Sequence, residues 1–437
     1  MARRSTSSRI FLSTCIAALA LTGCDDDGDS GGTAGAGGTA GMAGGAGGMT
    51  GGAGGEVMLP DGCDHLLTPS GDFDTEVVQT TFIEAHDGDT ICMAAGTFRF
   101  DAEISLAVDN VTLKGEGAEE TILNFDDQTL GANGVAITGD GVTVELLQVQ
   151  NAAGDGILAE GVSDITFRDL SVIWTEPEST DNGAYGLYPV TCQGVTIERV
   201  LAVGASDAGI YVGQSTNILV ADSEARGNVA GIEIENSLDA NVVNNYAHDN
   251  TAGILVFNLP GLPMQGGART KVHNNRMENN NLPNFAKAGT IVANVPPGLG
   301  LLLLSADDND IHDNNITGNI SAGIVSVHYI EAIFGPNTDE NFDLYGSGNY
   351  IHDNVYAENG LDPQGILGDL PLPDTGSDVI WDGCFPEGSP MDNPLDLCLS
   401  ETDATAFVNL NFCDGVTLEF ELGAMACEGT TLSFTRE

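Results

Sequence analysis

A short pattern repeats through residues 185–260, and it limits the fold more than any other feature of the chain. Glycines followed by an aliphatic residue recur at intervals of 22 or 23 residues, at Gly186, Gly209, Gly231 and Gly253. Each glycine opens a run of alternating side chains, which a polar turn and a second strand-like run follow. A fixed period of this length indicates stacked repeats, and strict alternation indicates strands. The sequence therefore predicts an all-β fold, a single-stranded parallel β-helix in which residues at equal phase form columns.

The N-terminus of the chain does not share this pattern. Residues 1–23 combine arginines with the apolar run 10–20, which is too short to span a membrane and is typical of a signal peptide. The residues LTGC at 21–24 resemble the lipobox of bacterial lipoproteins, which implies cleavage before Cys24 and acylation of that residue. The alternative is ordinary cleavage that leaves Cys24 as a spare thiol. Residues 24–55 are rich in Gly and predict a flexible linker. We therefore expect a protein of the cell envelope that is lipid-anchored and exposed to the periplasm or the cell surface.

The chain is strongly acidic, and this limits its partners. A formal net charge of −51 argues against nucleic acid, because that affinity depends on Lys and Arg neutralising phosphates. An acidic polysaccharide meets the same repulsion unless a divalent cation bridges it. The Asp-rich run 307–310 could bind Ca²⁺, and no motif in the sequence predicts another metal or cofactor. We expect a monomer whose partners are the membrane and a polysaccharide or other glycan of the cell envelope.

The cysteines predict disulfides, which an exported protein can form. Cys63 and Cys92 flank the first folded segment and are expected to pair. Four more cysteines lie in the C-terminal tail, and these are Cys384, Cys398, Cys413 and Cys427. Four cysteines allow three pairings, and we expect the sequential one, in which the first joins the second and the third joins the fourth. Cys192 is then left over, and we expect a buried free thiol.

An amphipathic helix is expected at residues 75–85. Its apolar face is predicted to contain Val77, Val78, Phe82 and Ile83. A helix before the first coil suits a solenoid, because the open end of the core needs a cover. The order of this helix, GDTI, AGTF and VTLKGEG resembles the opening of right-handed parallel β-helix proteins of the pectin-lyase-like superfamily. The resemblance covers residues 75–360 and implies a right-handed parallel β-helix. We expect this domain at residues 56–360 and a Cys-containing C-terminal cap at residues 361–437.

Two gaps in the spacing predict insertions. Gly156 is separated by 30 residues from the next such glycine, which indicates an insertion near Trp174. Gly253 and Gly300 lie 47 residues apart, which fits either two coils or one coil with long loops. The Pro, Gly and Asn content of residues 259–297 supports loops. Long loops on a solenoid usually build or cover a binding surface.

Asparagine and histidine recur at the turns. Asparagines such as Asn245 are expected to form hydrogen-bonded ladders from coil to coil. Three His-Asp-Asn triplets begin at His248, His312 and His352, and His273 begins a variant. We interpret the four as one motif at one phase of the coil. Their repetition favours a structural role over metal binding.

The outward-facing residues of the central strands are the candidate site. The residue after each repeat glycine should point inward and the next one outward. This gives one outer column, which contains Tyr188, Tyr211, Glu233 and Leu255. A second column contains Val190, Gly213, Glu235 and Phe257, with His328 as a continuation. Aromatic faces beside carboxylates suit sugar rings, so the predicted ligand-binding residues are Tyr188, Tyr211, Glu233, Glu235, Phe257 and His328. The alternative for the glutamates is that they are solvated on an exposed face.

One segment resembles a known active-site motif. Residues 185–190, YGLYPV, are similar to the Tyr-Gly-Phe-Asp-Pro-His motif of mannuronan C5-epimerases. The resemblance implies proton transfer at C5 of a uronate. The position of the catalytic Asp is Tyr188 in this chain, and that of the catalytic His is Val190, so the proton-transfer pair of that family is missing.

Two functions follow from these residues. The first is a tethered β-helix protein that binds polysaccharide on its Tyr and Glu side chains. The second is a carbohydrate-active enzyme, either similar to uronate epimerases and lyases or a hydrolase. Its candidate catalytic residues are Tyr185, Tyr188, Tyr211, Glu233 and Glu235. A groove over these residues and a carboxyl of raised pKa would favour the enzyme, and a flat exposed face would favour binding.

Overall fold

The computed structural model describes residues 59–390, 393–402, 404–429 and 431–433. The predicted signal peptide, the lipidation site Cys24 and the Gly-rich linker lie outside these residues. In the described part of the chain, no helix is both long enough and apolar enough to cross a membrane. The strands form three parallel sheets, which the chain visits in turn as it winds through successive coils.

The first sheet has 12 strands among the described residues. They are β1 (His65–Leu67), β2 (Thr90–Met93), β5 (Thr112–Lys114), β8 (Thr143–Glu145), β11 (Ser163–Arg168), β14 (Gln193–Glu198), β17 (Thr216–Ala221), β20 (Leu238–Val243), β23 (Ala268–His273), β26 (Asp310–His312), β29 (Tyr350–His352) and β32 (Cys398–Ser400). The second sheet has 10 strands in the same part of the chain. They are β3 (Gly96–Arg99), β6 (Thr121–Asn124), β9 (Gln148–Gln150), β12 (Ser171–Ile173), β15 (Leu201–Val203), β18 (Glu224–Arg226), β21 (Tyr246–His248), β24 (Arg276–Glu278), β27 (Asn315–Thr317) and β30 (Val355–Ala357).

The third sheet has 11 described strands and carries the candidate site. They are β4 (Ala102–Leu106), β7 (Leu130–Ile137), β10 (Ile157–Glu160), β13 (Tyr185–Val190), β16 (Ala208–Gly213), β19 (Ala230–Glu235), β22 (Ala252–Phe257), β25 (Leu299–Leu304), β28 (Ala322–Val327), β31 (Val379–Trp381) and β33 (Phe407–Asn409). Short 3₁₀ turns occur at Val292–Asn294, Phe412–Asp414 and Gly423–Met425.

The register of the third sheet follows the glycine repeat of the sequence. Ile210, which comes after the repeat glycine of β16, pairs with Leu187 on one side and with Ile232 on the other. All three side chains are buried in the core inside the coils. Like residues therefore stack along the solenoid, and the predicted parallel β-helix is confirmed.

Helix α1 (Thr75–Glu84) covers the first coil, as the sequence predicts. Gln79 accepts the N–H of Ser105 at 2.8 Å and donates to its carbonyl at 3.0 Å. These bonds satisfy part of the free edge of β4, the terminal strand of its sheet. Two further helices are single turns, α2 (Glu331–Phe334) and α3 (Gly365–Gly368).

Fewer residues of α1 are buried than the sequence predicts. Val78 and Phe82 are buried, whereas Val77 is 47% and Ile83 72% exposed. Only one line of side chains along the helix contacts the core. Val78 and Phe82 are four residues apart and lie on this line, whereas their neighbours Val77 and Ile83 do not.

The long gap in the repeat is one coil with long loops. Strand β22 pairs directly with β25, and β23 and β24 complete the same coil between them. The two loops span residues 258–267 and 279–298. The predicted insertion near Trp174 lies at residues 174–184, between β12 and β13.

Asparagine ladders connect the coils at three corners, as predicted. In one of them, Nδ2 of Asn245 donates to Oδ1 of Asn275 at 3.0 Å, and Asn275 donates to Asn314 at 3.1 Å. The histidine prediction is partly wrong. His248 lies in the 10-stranded sheet, whereas His273, His312 and His352 lie in the 12-stranded sheet. The His-Asp-Asn triplet therefore occurs at two different phases of the coil.

The chain continues to add strands after residue 360. Strands β31 and β33 extend the 11-stranded sheet and β32 extends the 12-stranded sheet, so the boundary placed at 360 stays a prediction. Three disulfides fit an extracytoplasmic location. They are Cys63–Cys92, Cys384–Cys413 and Cys398–Cys427.

The disulfide Cys63–Cys92 confirms the prediction, but the sequential pairing of the tail cysteines is wrong. Strands β31 and β33 are neighbours in one sheet, with Trp381 opposite Asn409. The residues that follow them therefore meet across adjacent coils, and Cys384 bonds Cys413. The predicted free thiol of Cys192 is confirmed as buried.

Candidate functional site

The predicted outer columns lie on the outer face of the 11-stranded sheet. Tyr211 is opposite Glu233, which is opposite Leu255. In the second column, Glu235 lies between Gly213 and Phe257. Seven residues form one surface here, which we call the carboxyl face. They are Asp155, Tyr185, Tyr188, Asp207, Tyr211, Glu233 and Glu235.

The carboxyl face is covered, so the interpretation of Glu233 and Glu235 as solvated glutamates is wrong. Tyr211 and Glu233 are each 3% exposed, and Glu235 is 8% exposed. Next to them, the apolar residues of the outer face form a second hydrophobic cluster with the loop 279–298, which contributes Phe285, Val292 and Val295. The sheet therefore has a packed core inside the coils and another on its outer face.

Three buried carboxyls belong to this face, and one of their oxygens has no partner. The hydroxyl of Tyr211 donates to Oε1 of Glu235 at 3.0 Å, and the hydroxyl of Tyr185 donates to Oδ2 of Asp207 at 3.4 Å. Oε2 of Glu233 is buried without a hydrogen-bond partner. Unpartnered buried polar atoms are rare in folded proteins and call for an explanation.

Burial and mutual repulsion raise the pKa of these carboxyls. Desolvation is the largest cause for each, and it raises the pKa of Asp207 to about 8 and that of Glu235 to about 7. The pKa of Glu233 is also well above its usual value, because of burial and the charges of Asp207 and Glu235. At neutral pH the cluster therefore holds protonated carboxyls, which can donate hydrogen bonds or protons.

The edge of the carboxyl face is more accessible than its centre. Asp155 and Tyr188 are only partly buried. Oδ1 of Asp155 accepts the backbone N–H of Tyr185 at 3.3 Å, and burial raises the pKa of Asp155 to about 6. Burial likewise raises the pKa of Tyr188 to about 12. Asp155 and Tyr188 are therefore the more accessible residues of the carboxyl face.

The three tyrosines pack on one another rather than forming a flat platform. The ring of Tyr185 lies 4.6 Å from Tyr188 at an interplanar angle of 24°, and 4.6 Å from Tyr211 at 43°. Tyr188 meets Tyr211 edge to face, at 5.0 Å and 65°. Edge-to-face contacts are a stable arrangement of aromatic rings.

A glycine makes room for the bond between Tyr211 and Glu235. A Cβ atom at Gly213 would lie 2.1 Å from the hydroxyl oxygen of Tyr211 and 2.5 Å from its ring. Gly213 lies directly opposite Glu235. Because this position has no side chain, the tyrosine ring can lie across it and reach the carboxyl on the next coil.

The sequence reasoning missed Asp155 and Asp207. Both lie just before a strand of the 11-stranded sheet, Asp155 two residues before β10 and Asp207 one residue before β16. At the position of Asp207, the following coils have Val229 and Thr251. For Asp207, an acidic residue in place of an apolar or neutral one at this phase was the available signal.

Phe257 and His328, which were predicted to bind the ligand, do not join the carboxyl cluster. Phe257 is 1% exposed in the outer hydrophobic cluster. The column continues through Leu304 to Val327, so placing His328 in it is wrong. Nδ1 of His328 instead contacts Oδ2 of Asp382 at 2.6 Å.

The Asp-rich run predicted to bind Ca²⁺ is divided among separate contacts. Oδ1 of Asp307 accepts the N–H of Ser347 at 2.8 Å. Asn309 belongs to an asparagine ladder. Oδ1 of Asp310 lies 3.0 Å from Nε2 of His352. Ca²⁺ binding by this run stays a prediction.

A family model matches part of the chain, and several solved structures are similar to it. A family model described as a right handed beta helix region matches residues 133–294. No curated protein matches the chain. Among solved structures, the A-module of the mannuronan C-5 epimerase AlgE6 from Azotobacter vinelandii is similar at 15% identity and a TM-score of 0.48, over 77% of this chain and 92% of that one. DFA-IIIase from Arthrobacter chlorophenolicus A6 is similar at 10% identity and a TM-score of 0.42, over 77% of this chain and 90% of that one. The family-model match and the register of the three sheets identify the described part of the chain as a right-handed parallel β-helix.

Proposed function

We propose that the chain acts on a neutral polysaccharide at the carboxyl face, with a protonated carboxyl as proton donor. The observation that supports this most is Oε2 of Glu233, which is buried without a hydrogen-bond partner beside two other buried carboxyls. Folded proteins rarely leave such an atom unpaired. Clusters of carboxyls with raised pKa occur most often where acid–base chemistry takes place.

The electrostatics of the cluster favour a neutral substrate over a uronate. Asp207 and Glu235 both raise the pKa of Glu233 through their charge. A substrate carboxylate would add a further negative charge to this group. The residues of the epimerase motif that transfer protons are also replaced, by Tyr188 and Val190. Hydrolysis or transfer of a glycosidic bond needs only carboxyls as acid and base, so it fits this face better than epimerisation.

Asp207 and Glu235 are the best candidates for the proton donor. They keep 9% and 8% of their surface exposed, compared with 3% for Glu233. Their raised pKa keeps a proton on them near neutral pH, which a general acid requires. The hydroxyl of Tyr211 fixes one oxygen of Glu235 and so orients its carboxyl group.

Binding of polysaccharide without catalysis is the second candidate. Tyr188 lies partly exposed at the edge of the face, beside Asp155. A tyrosine ring in this position can contact a sugar while the hydroxyls of the sugar bond the carboxyl. With either function, the lipobox-like residues 21–24 support a tether to the cell envelope through Cys24.

Product analysis on a panel of neutral and acidic polysaccharides, with and without Ca²⁺, tests the proposal. We expect new reducing ends or transfer products from a neutral polysaccharide. Asp207→Asn and Glu235→Gln should each lower the rate at least ~100-fold, with binding retained. Glu198→Gln, on the outer face of the 12-stranded sheet, is the control and should leave the rate unchanged. Binding without products would favour the second candidate, and neither binding nor products would contradict both.

A further inference from the structure

Three histidines stack in one column on the outer face of the 12-stranded sheet. His273 pairs with His312, which pairs with His352. Their rings lie 5.0 and 4.8 Å apart at angles of 16° and 15°. Asp310 lies two residues before His312 on the same strand, so its side chain points to the same face. We call the surface of Asp310, His312 and His352 the histidine face.

Each of the last two rings is oriented by a neighbouring carboxylate. Nδ1 of His312 lies 2.7 Å from Oδ2 of Asp313, and Nδ1 of His352 lies 2.8 Å from Oδ2 of Asp353. With Nδ1 engaged in this way, Nε2 is the nitrogen left to contact other groups. A carboxylate on the second ring nitrogen is the usual support of a histidine that binds a metal ion.

Nε2 of these histidines faces the preceding coil. Nε2 of His273 lies 2.9 Å from Oδ1 of Asn241, and Nε2 of His352 lies 3.0 Å from Oδ1 of Asp310. The register places Lys271 at the equivalent position for His312. An ammonium group only donates hydrogen bonds, so His312 lacks at this position the amide or carboxylate oxygen that the other two rings contact.

We propose that Asp310, His312 and His352 bind a divalent transition-metal ion of the Zn²⁺ type. The three side chains each offer one ligand atom, and these atoms lie within 4.8 Å of one another. Two imidazoles and a carboxylate form a donor set that suits Zn²⁺ and neighbouring metals better than Ca²⁺ or Mg²⁺. On binding, the ion takes the place of the proton between Nε2 of His352 and Oδ1 of Asp310, and that proton is released to the solvent.

The surroundings of the histidine face suit a buried ion. Asp310 is fully buried, and the side chains of His352 and His312 are 9% and 14% exposed. Oδ2 of Asp310 accepts the backbone N–H of Leu432 at 2.7 Å. One ion at this place would join two coils to the C-terminal segment. The carboxyl face lies on another sheet, so this site is separate from the proposed polysaccharide site.

A second group of three potential metal ligands among the described residues does not support a metal site. It consists of His328, Cys384 and Cys413. The two cysteines form a disulfide with each other, so they offer no thiolate to a metal.

Titration of the metal-free protein, prepared without a histidine tag, tests the proposal. We expect equilibrium dialysis to give one Zn²⁺ per chain, and Co²⁺ to give a ligand-field absorption spectrum with nitrogen ligands. Asp310→Asn keeps an acceptor for the N–H of Leu432, and His312→Gln alters a partly exposed side chain, so both variants should fold. Each should weaken Zn²⁺ binding at least ~10-fold.

His248→Gln is the matched control. His248 belongs to the same His-Asp-Asn triplet, and its Nδ1 lies 2.7 Å from Asp249, but it lies on the 10-stranded sheet and stacks on Tyr246. Its loss should leave Zn²⁺ binding unchanged. The proposal would be overturned if the wild-type protein did not bind Zn²⁺, or if Asp310→Asn and His312→Gln bound Zn²⁺ as tightly as the wild type. The melting temperature should rise with Zn²⁺ in the wild type and in His248→Gln, but not in the other two variants.

Discussion

The carboxyl face and the histidine face are both built on columns of one solenoid, but they hold buried acidic groups in different ways. On the carboxyl face, Asp207 and Glu235 lie among other carboxyls and tyrosines, and their pKa rises. On the histidine face, the buried Asp310 contacts the imidazole of His352. The comparison teaches that stacking of coils brings like residues together. The environment of a buried carboxyl depends instead on the groups that cover it and on the side chain that lies diagonally opposite on the next coil.

The largest expected difference between the two faces is in the pH dependence of stability. The pKa of Asp207 rises from 3.8 to about 8 and that of Glu235 from 4.5 to about 7 on folding. Between these limits the folded protein holds more protons than the unfolded chain, so the free energy of unfolding falls as the pH rises from about 4 to about 8. We expect a loss on the order of several kcal/mol.

Urea unfolding across this pH range measures the effect, with a double variant as the comparison. Asp207→Asn combined with Glu235→Gln removes both groups, so the fall in stability should become much smaller. Glu198→Gln, outside the cluster, should retain the wild-type profile. If the double variant keeps the same slope as the wild type, the carboxyl face is not the origin of the pH dependence.

A methyl group at Gly213 should disrupt the carboxyl face. The new Cβ would lie 2.1 Å from the hydroxyl oxygen of Tyr211, so the ring has to move and its bond to Glu235 is lost. Gly213→Ala should destabilise the protein by about 1–3 kcal/mol, which urea unfolding can measure. Tyr211→Ala removes the ring that the new methyl group meets. The double variant should therefore lose less stability than the sum of the losses in the two single variants. Full additivity would mean that the two residues do not meet.

Loss of the tyrosine hydroxyl is expected to have a smaller effect. The bond from Tyr211 to Glu235 lowers the pKa of Glu235 against the stronger effect of burial. Tyr211→Phe should therefore raise this pKa, and the alkaline limit of activity should move to higher pH by roughly one unit or less. Tyr246→Phe removes a comparable bond to Glu278, of 3.1 Å, on the 10-stranded sheet. This control should leave the pH profile unchanged, and an equal shift in both variants would contradict the assignment.

The smallest effect is expected for an exposed ion pair outside the cluster. Nε of Arg269 lies 2.7 Å from Oδ1 of Asp239, and the two side chains are 42% and 43% exposed. Such pairs contribute about 0–1 kcal/mol and are screened by salt. Arg269→Gln should thus lower the free energy of unfolding only slightly, and the difference should disappear in high salt. A large loss of stability that persists in high salt would contradict this expectation. It would mean that an exposed ion pair contributes as strongly to stability as the buried groups of the carboxyl face.

The interior of the solenoid could be predicted from the sequence because its pattern is local. Ile210 and Ile232 follow the repeat glycines by one residue, and this phase fixes both their inward direction and their stacking. The outer columns of Tyr211, Glu233 and Glu235 followed from the same phase. Their burial could not be predicted, because it depends on how distant loops and turns pack onto the sheet.

The tail shows the same limit. Which cysteines pair depends on which coil each tail strand joins, and the short strands β31 and β33 have no repeat glycine to reveal it. Cys384 and Cys413 meet because one full coil separates them, and the sequence spacing alone did not distinguish that pairing from the sequential one. Asp207 was missed because a single aspartate at a turn is common in so acidic a chain.

The protonation state of the carboxyl face at neutral pH tests the central claim most directly. Infrared difference spectroscopy distinguishes the carbonyl band of a protonated carboxyl from the bands of a carboxylate. We predict that the wild-type protein at neutral pH shows a protonated-carboxyl band, that Glu233→Gln reduces it, and that Glu198→Gln does not. A spectrum that shows only ionised carboxylates at neutral pH would contradict the account.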